Sequence, residues 1–277
     1  MKNEILSLGL TIVVGLSMGL GGLLSFFIKG LNKKFLAITL SFAAGIMIYV
    51  SFMEMLPEGM HLVEGYIGER GNLIALGWFF GGMLITAILE KIVHIFAGEY
   101  HDHNHGEHIH HKHNHNHEKQ EQNGEHLSKL GVLSAIAIAM HNIPEGLALF
   151  TAGLKDISLA LPIAVAVIIH NIPLSVAIAV PLYYSTGSRK RAFIYTLLVG
   201  LCQPIGAILG YVVLDRVFND LVVGALFSIV AGIMIFVALD ELLPSSQRYE
   251  DHHLSVYGAI LGMLVMAISL SLLGHHH

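Results

Sequence analysis

Long apolar stretches recur along the whole chain and are separated by short polar segments. There are eight of them, and most have about 21 to 25 residues, which is enough for a helix to cross a bilayer. Backbone groups that face lipid must satisfy their own hydrogen bonds, so each stretch is predicted to be helical. The pattern therefore predicts an all-α membrane protein, a single domain over residues 1–277. Its eight transmembrane helices, called spans one to eight here, are Ile5–Ile28, Phe35–Met55, Leu73–Phe96, Leu130–Ala152, Leu159–Tyr183, Ala192–Leu214, Leu221–Leu243 and Leu254–Leu273.

The composition agrees with a membrane protein and excludes several other classes. Hydrophobic residues make up 54% of the chain and charged residues only 13%, about half the charge of a soluble domain. The net charge of −5 excludes a basic nucleic-acid binder. The single cysteine, Cys202, excludes an intrachain disulfide and a cysteine-based metal site. The lipid bilayer is thus the partner that the composition indicates, and no nucleic acid is expected.

The basic residues predict the orientation of the chain in the membrane. With alternating spans, four Lys and Arg residues fall on one side: Lys2, Arg70, Lys155 and Arg216. The other eleven fall on the opposite side: Lys29, Lys33, Lys34, Lys91, Lys112, Lys119, Lys129, Arg189, Lys190, Arg191 and Arg248. Basic residues accumulate on the cytoplasmic side, so both termini are expected to be extracytoplasmic.

A histidine-rich loop, at about residues 97–128, joins spans three and four on the predicted cytoplasmic side. Ten of the 19 histidines lie between His101 and His126. Such low-complexity sequence is typical of disorder, and its histidines and acids can hold metal ions loosely. We expect the loop to buffer or sense released ions, so deletion of residues 100–118 should alter regulation more than turnover.

Two segments of the chain each have a similar second copy elsewhere in the sequence. AAGIMIYVSFMEMLPEG in span two is similar to VAGIMIFVALDELLPSS in span seven, and HNIP occurs in spans four and five. The span numbers differ by five in the first pair and by one in the second. Because both differences are odd, the two members of each pair run through the membrane in opposite directions. This is the pattern of an inverted repeat, which in many transporters places the substrate site near the membrane midplane.

Ionisable side chains within these spans are the strongest functional candidates. His141 and Glu145 in span four share one helix face, and Pro144 between them is expected to bend the helix. Span five repeats the pattern with His170, Asn171 and Pro173. Imidazole and carboxylate ligands suit zinc and similar divalent ions, and Asn142 or Asn171 could add an amide oxygen. The alternative is a structural ion pair.

These motifs resemble those of the ZIP family of divalent-metal transporters, most closely its bacterial zinc-uptake branch, over almost the whole chain. The resemblance implies a 3+2+3 bundle of eight helices with an inverted repeat. It also implies import of zinc by alternating access, and no ATP-binding GxxxxGK[ST] motif is present. It assigns metal ligands to His141, Asn142, Glu145, His170 and Asn171. No resident cofactor or enzymatic activity is expected, and a homodimer is left open.

The resemblance also suggests residues along an ion path. Met47 falls at a position where a thioether lies near the metal in a related protein, although core packing would explain it equally well. Glu54 could line the path from outside, or it could be a solvated helix end. A cytoplasmic exit site would contain Glu90, His94, Asp240 and Glu241, which could also be ordinary helix-end charges.

Two positions depart from the family pattern. Leu174 stands where many members have a second glutamate in span five, and Gln203 stands where an acidic residue is common in span six. Both changes remove charge, so we expect one strong metal site. Gln203 could provide an amide oxygen to the metal or could be a packed polar residue at a helix kink.

The resulting hypothesis is import of Zn²⁺, with Mn²⁺, Fe²⁺, Cd²⁺ and Ni²⁺ as other candidate ions, across the plasma (inner) membrane by a multi-pass protein. Three alternatives differ in class: an intramembrane metalloenzyme, which the absence of HExxH disfavours, an exporter of the cation-diffusion type, and a metal sensor without net transport.

Overall fold

The computed structural model describes residues 2–27, 32–96, 138–214, 218–249 and 252–272, and these are almost entirely helical. We number the α-helices in chain order: α1 Lys2–Leu24, α2 Lys33–Val50, α3 Leu56–Ile67, α4 Gly71–Phe96, α5 138–155, α6 Ile157–Thr186, α7 Arg189–Leu214, α8 Asp220–Val237, α9 Leu243–Tyr249 and α10 His252–Leu272. A short 3-10 helix, Ser25–Phe27, follows α1. The histidine-rich loop lies outside the described residues.

The helices confirm an all-α membrane protein. Within the described ranges, seven helices are long and apolar enough to cross a membrane, and α5 is the described part of the predicted fourth span. Many large apolar side chains on α1, α4, α7 and α10 are exposed, as expected for surfaces that face lipid tails. Buried apolar residues from α2, α6 and α8 contribute most of one shared core.

Two predicted span ends are wrong. Span two was expected to end at Met55 and span seven at Leu243, but both helices continue, to Ile67 and Tyr249 respectively. Hydropathy falls in the continuations because they carry Glu, His and Ser, although their backbone remains helical. Glu54, Asp240 and Glu241 therefore lie within continuous helices and not at helix ends.

Each of these two long helices contains a π-helical turn just before a proline. The turns are Ser51–Met55 and Ala238–Leu242, and Pro57 and Pro244 follow them. A proline has no N–H and crowds the carbonyl one turn earlier. In both turns a backbone N–H donates to the carbonyl five residues earlier and not four, for example Leu56 N–H to the Ser51 carbonyl. The helix therefore continues past the proline.

The first and last groups of three spans are built as copies. The side chains of Asn32 and Asn219 cap α2 and α8 in the same way, accepting from the N–H three residues later. α2 packs mainly against α10, and α8 packs mainly against α4. Gly45 of α2 meets the Ala259 carbonyl, and its counterpart on α8 meets a carbonyl of α4 in the same manner. The sequence repeat is thus also a structural repeat.

The spans that carry the candidate ligands are held by close helix crossings. α1 and α7 cross at Gly15 and Gly200, where a Cβ added to either glycine would collide with the carbonyl of the other. α1 also packs along α6. Small residues allow such approach in membranes, where close van der Waals contact drives helix association.

Candidate metal site

The predicted ligands lie on α5 and α6, in the interior of the helix bundle. His141, Asn142 and Glu145 lie on α5, and His170 and Asn171 lie on α6; all five are buried, and Glu145 is only 2% exposed. Pro144 and Pro173 interrupt the backbone hydrogen bonding of the two helices beside these residues. The helices thereby bring polar side chains into an otherwise apolar core.

Glu145 is the centre of the polar contacts. Its Oε1 lies 3.2 Å from Nε2 of His170, and its Oε2 accepts a 2.7 Å hydrogen bond from Nε2 of Gln203 on α7. His141 lies close enough to the same carboxylate for a direct electrostatic interaction. One carboxylate thus connects three helices, and each of its oxygens has a different partner.

The two asparagines use their amide groups in a common way. Nδ2 of Asn142 donates to the Val199 carbonyl at 2.9 Å and lies 3.3 Å from Sδ of Met18. Nδ2 of Asn171 donates to the Val14 carbonyl at 3.2 Å and to Oε1 of Gln203 at 3.3 Å. Because the carbonyls can only accept, these contacts fix which amide atom is the nitrogen. Ser17 Oγ lies at a similar distance from Asn171 Nδ2.

This arrangement leaves acceptor atoms available in a buried site. Among the described residues, Oδ1 of Asn142, Oδ1 of Asn171 and Nδ1 of His170 are buried and have no hydrogen-bond partner. Burying a polar atom without a partner is costly. A cation would satisfy the two amide oxygens, so the residues present fit a transported divalent ion.

The site is not a closed cage of strong ligands. In the part of the chain that the structure describes, no three His, Cys, Asp or Glu side chains are grouped closely enough to hold a metal ion by themselves. Structural zinc sites use four such ligands. A histidine–carboxylate pair supplemented by amide oxygens suits a cargo that must be released.

A cavity extends from this centre toward the predicted cytoplasmic side. Its volume is about 100 Å³, and its walls include His141, Pro144, Glu90 of α4 and Glu241 of the second π turn. The carboxyl groups of Glu90 and Glu241 are within hydrogen-bonding reach of each other. Two of the four predicted exit residues are therefore near one opening. Asp240 is exposed next to Glu241, and the side chain of His94 lies outside the described residues.

The two candidates on span two are both buried. Met47 is completely buried in α2, which packs against α6. Glu54 is 7% exposed and lies in the first π turn, so its interpretation as a solvated helix end is wrong. Gln203 binds both Glu145 and Asn171, and its amide oxygen is engaged in this conformation.

Comparison with known proteins decides the family. The family model described as ZIP Zinc transporter matches residues 3–270. This chain belongs to the ZIP family. It is 43% identical to the zinc transporter ZupT of Clostridium perfringens over 98% of its own length and 97% of the relative's. It is 45% identical to ZupT of Streptococcus mutans, covering 95% and 96% of the two chains. ZIP proteins are transporters, so the metalloenzyme alternative is wrong.

The structure also identifies residues near the site that the sequence analysis missed in this ZIP protein. Met18 contacts Asn142, and the carbonyls of Val14 and Val199 anchor the two asparagines. A signal for them exists, because Val-Gly-Leu occurs both at Val14–Leu16 and at Val199–Leu201. Met18 and Gln203 follow these two motifs at the same distance, so they are equivalent positions of the repeat.

Proposed function

We propose that this protein imports zinc across the plasma membrane, by binding it at the centre formed by Glu145, His170 and His141. The observation that supports this proposal most strongly is the buried Glu145–His170 pair beside two amide oxygens without donors. A structural ion pair alone would not require these acceptors. The family relationship supports zinc as the cargo.

In this mechanism, the carboxylate and the two imidazoles replace part of the hydration shell of the ion. Asn142 and Asn171 add oxygens whose direction is fixed by the hydrogen bonds of their nitrogens. Amide oxygens are weaker ligands for zinc than thiolates or imidazoles. The ion can consequently bind in competition with water and still leave, as transport requires.

The ion leaves through the cavity beside His141 and passes Glu90 and Glu241. Glu54 is the counterpart of Glu241 in the inverted repeat and lines the path from outside when the opposite conformation forms. Both termini are extracytoplasmic, which puts the cavity on the cytoplasmic side. Alternation between the two conformations moves the ion without ATP.

Uptake of radioactive zinc by cells or proteoliposomes tests this proposal. Glu145→Gln removes the one carboxylate that the described residues place in the centre and keeps its shape, so uptake should fall at least about tenfold, equivalent to about 1.4 kcal/mol. His141→Ala should have a similar effect. Leu161→Ala, at an exposed position on the same helix as His170, is the control and should keep normal uptake.

The amount of protein in the membrane is measured for each variant. Normal uptake by Glu145→Gln at wild-type abundance would contradict the proposed site, and bound zinc without flux in the wild type would indicate a sensor. Competition by manganese, iron, cadmium and nickel ranks the ions, and net efflux from zinc-loaded vesicles under an inward gradient would indicate an exporter.

A further inference from the structure

The centre of the molecule is built from two similar halves. α1 and α7 cross at two glycines that make the same reciprocal contact. Gly21 of α1 meets the Ile172 carbonyl of α6, and Gly206 of α7 meets the Ile143 carbonyl of α5. Ile143 and Ile172 are the same position in the two HNIP motifs. Spans one and six, and spans four and five, are therefore related by one approximate two-fold axis.

The asparagine contacts obey the same symmetry. Asn142 bonds to the carbonyl of Val199 on α7, and Asn171 bonds to the carbonyl of Val14 on α1. One helical turn beyond each carbonyl, a side chain of the same helix reaches the nitrogen of the other asparagine. Met18 lies one turn beyond Val14 and contacts Asn142, and Gln203 lies one turn beyond Val199 and contacts Asn171. Met18 and Gln203 thus occupy equivalent places.

The symmetry defines two half-sites that differ in polarity. The polar half-site contains His170, Asn171, Glu145 and Gln203. Glu145 contacts His170 and Gln203, and Gln203 also binds Asn171. The equivalent positions of the second half-site are His141, Asn142, Leu174 and Met18. Leu174 replaces the carboxylate, Met18 replaces the amide that holds it, and both are completely buried. Only the imidazole and the asparagine are common to both halves.

We propose that Met18 and Leu174 are specificity-determining residues that restrict the transport centre to one cation by keeping the second half-site apolar. This inference rests on the proposed function of the centre. With one cation bound, His141 and Asn142 serve the same ion as Glu145 and His170. A second cation beside them would have no anionic ligand of its own, and among the described residues of the two half-sites only Glu145 would oppose the mutual repulsion of the two divalent ions. Met18 and Leu174 act together in this account. A carboxylate introduced at position 174 would need an amide donor at position 18, as Glu145 has the amide of Gln203.

The experiment measures zinc bound per chain in the purified full-length protein at a fixed free zinc concentration. Met18→Gln combined with Leu174→Glu recreates the polar pair and should bind one further zinc ion per chain. Met18→Gln combined with Leu174→Gln is the matched control, which has the same size and polarity without the charge, and should bind as many as the wild type. The histidine-rich loop is the same in all variants, so its ions cancel in the comparison.

A second variant protects the test against misfolding of the first. Met18→Glu keeps Leu174 and supplies the carboxylate from α1, so it should also add one zinc ion per chain. Folding is checked by monodisperse elution in detergent and by a cooperative thermal transition. The inference is overturned if either folded variant binds no more zinc than the wild type. It is equally overturned if the charge-free control gains the same ion, or if neither carboxylate variant folds.

The wild type and Glu145→Gln separate this inference from the proposed function. Glu145→Gln should lose one zinc ion per chain relative to the wild type. If it loses none, the centre does not bind zinc and the proposed function fails. If it loses one while the carboxylate variants gain none, the proposed function stands and only the account of Met18 and Leu174 is rejected.

Discussion

At the scale of single residues, Gln203 decides how Glu145 is presented. The amide donates to Oε2 of the carboxylate, while Oε1 faces His170, so the hydrogen bond fixes which oxygen His170 meets. The same amide accepts from Asn171 and so aligns a second candidate ligand. Under the proposed function, Gln203 is therefore a positioning residue that acts on the cation through its neighbours.

Replacing Gln203 tests this role. Gln203→Leu leaves one buried carboxylate oxygen without its donor, which costs about 1–3 kcal/mol. We expect the zinc KM to rise or the uptake rate to fall by roughly ten- to a hundredfold. Gln203→Glu should instead change the preference among zinc, manganese and cadmium, because it adds a charge at the same place.

Cys202→Ala is the control for this experiment. Cys202 is adjacent in sequence, but its thiol donates to the Leu198 carbonyl of its own helix, so uptake should stay near the wild-type level. A Gln203→Leu variant with an unchanged KM and rate would show that the amide is only a packed polar group.

The sequence was sufficient to select candidate ligand residues but not to predict their contacts. The HNIP motif repeated in spans four and five, with a glutamate one turn after His141, was sufficient to select His141, Glu145 and His170. The alternatives for Gln203 could not be separated, because its neighbours come from two other helices. Met18 was missed since a methionine on an apolar helix usually only packs, and it is distinguished only by the short Val-Gly-Leu repeat that aligns it with Gln203.

At the scale of helices, close crossings hold the centre together. The contact of Gly15 with Gly200 places the Val14 and Val199 carbonyls beside the two asparagines. A displacement of α1 from α7 would therefore move the groups that orient the ligands. The crossing connects helix association directly to the geometry of the site.

Gly15→Ala tests the crossing. The new Cβ would collide with a backbone carbonyl, which cannot rotate away as a side chain can. Overpacking of this kind typically costs about 1–3 kcal/mol, so the thermal midpoint in detergent and the zinc uptake should both decrease. Gly9→Ala, on the same helix with open space around it, should be neutral or slightly stabilising. Equal midpoints for the two variants would contradict this account of α1.

The helix boundaries show where hydropathy is insufficient. The pattern located the spans because each crosses an apolar layer, but it ended span two at Met55 and span seven at Leu243. Whether a helix continues past Pro57 or Pro244 depends on a π turn that rearranges the hydrogen bonds. Proline alone is compatible with both outcomes, so the sequence could not decide between an end and a continuation.

At the scale of the whole molecule, the inverted repeat makes the two sides of the membrane comparable. The cavity beside His141 is lined by residues of α4, α5 and α8. The positions equivalent to the cavity lining lie on α10, α6 and α2. Among them, Met266, Val50 and Glu54 are buried. A nearly symmetric sequence thus adopts an asymmetric conformation. The sequence predicted the symmetry, but it could not predict which side is open, because both conformations use equivalent contacts.

This asymmetry predicts which positions a thiol reagent can reach. Thr86 lines the cavity, and Met266 is its counterpart on α10, completely buried. In a protein whose native cysteine has been replaced by Cys202→Ala, a membrane-impermeant maleimide should modify Thr86→Cys from the cytoplasmic side. The same reagent should modify Met266→Cys at least about tenfold more slowly from either side, because a buried thiol is accessible only after a conformational change.

Alternating access makes a further prediction for these two positions. Conditions that open the outer path should slow the reaction at position 86 and accelerate it at position 266. Reaction at both positions at the same time and from both sides would indicate a continuous pore, and the transporter would then not alternate.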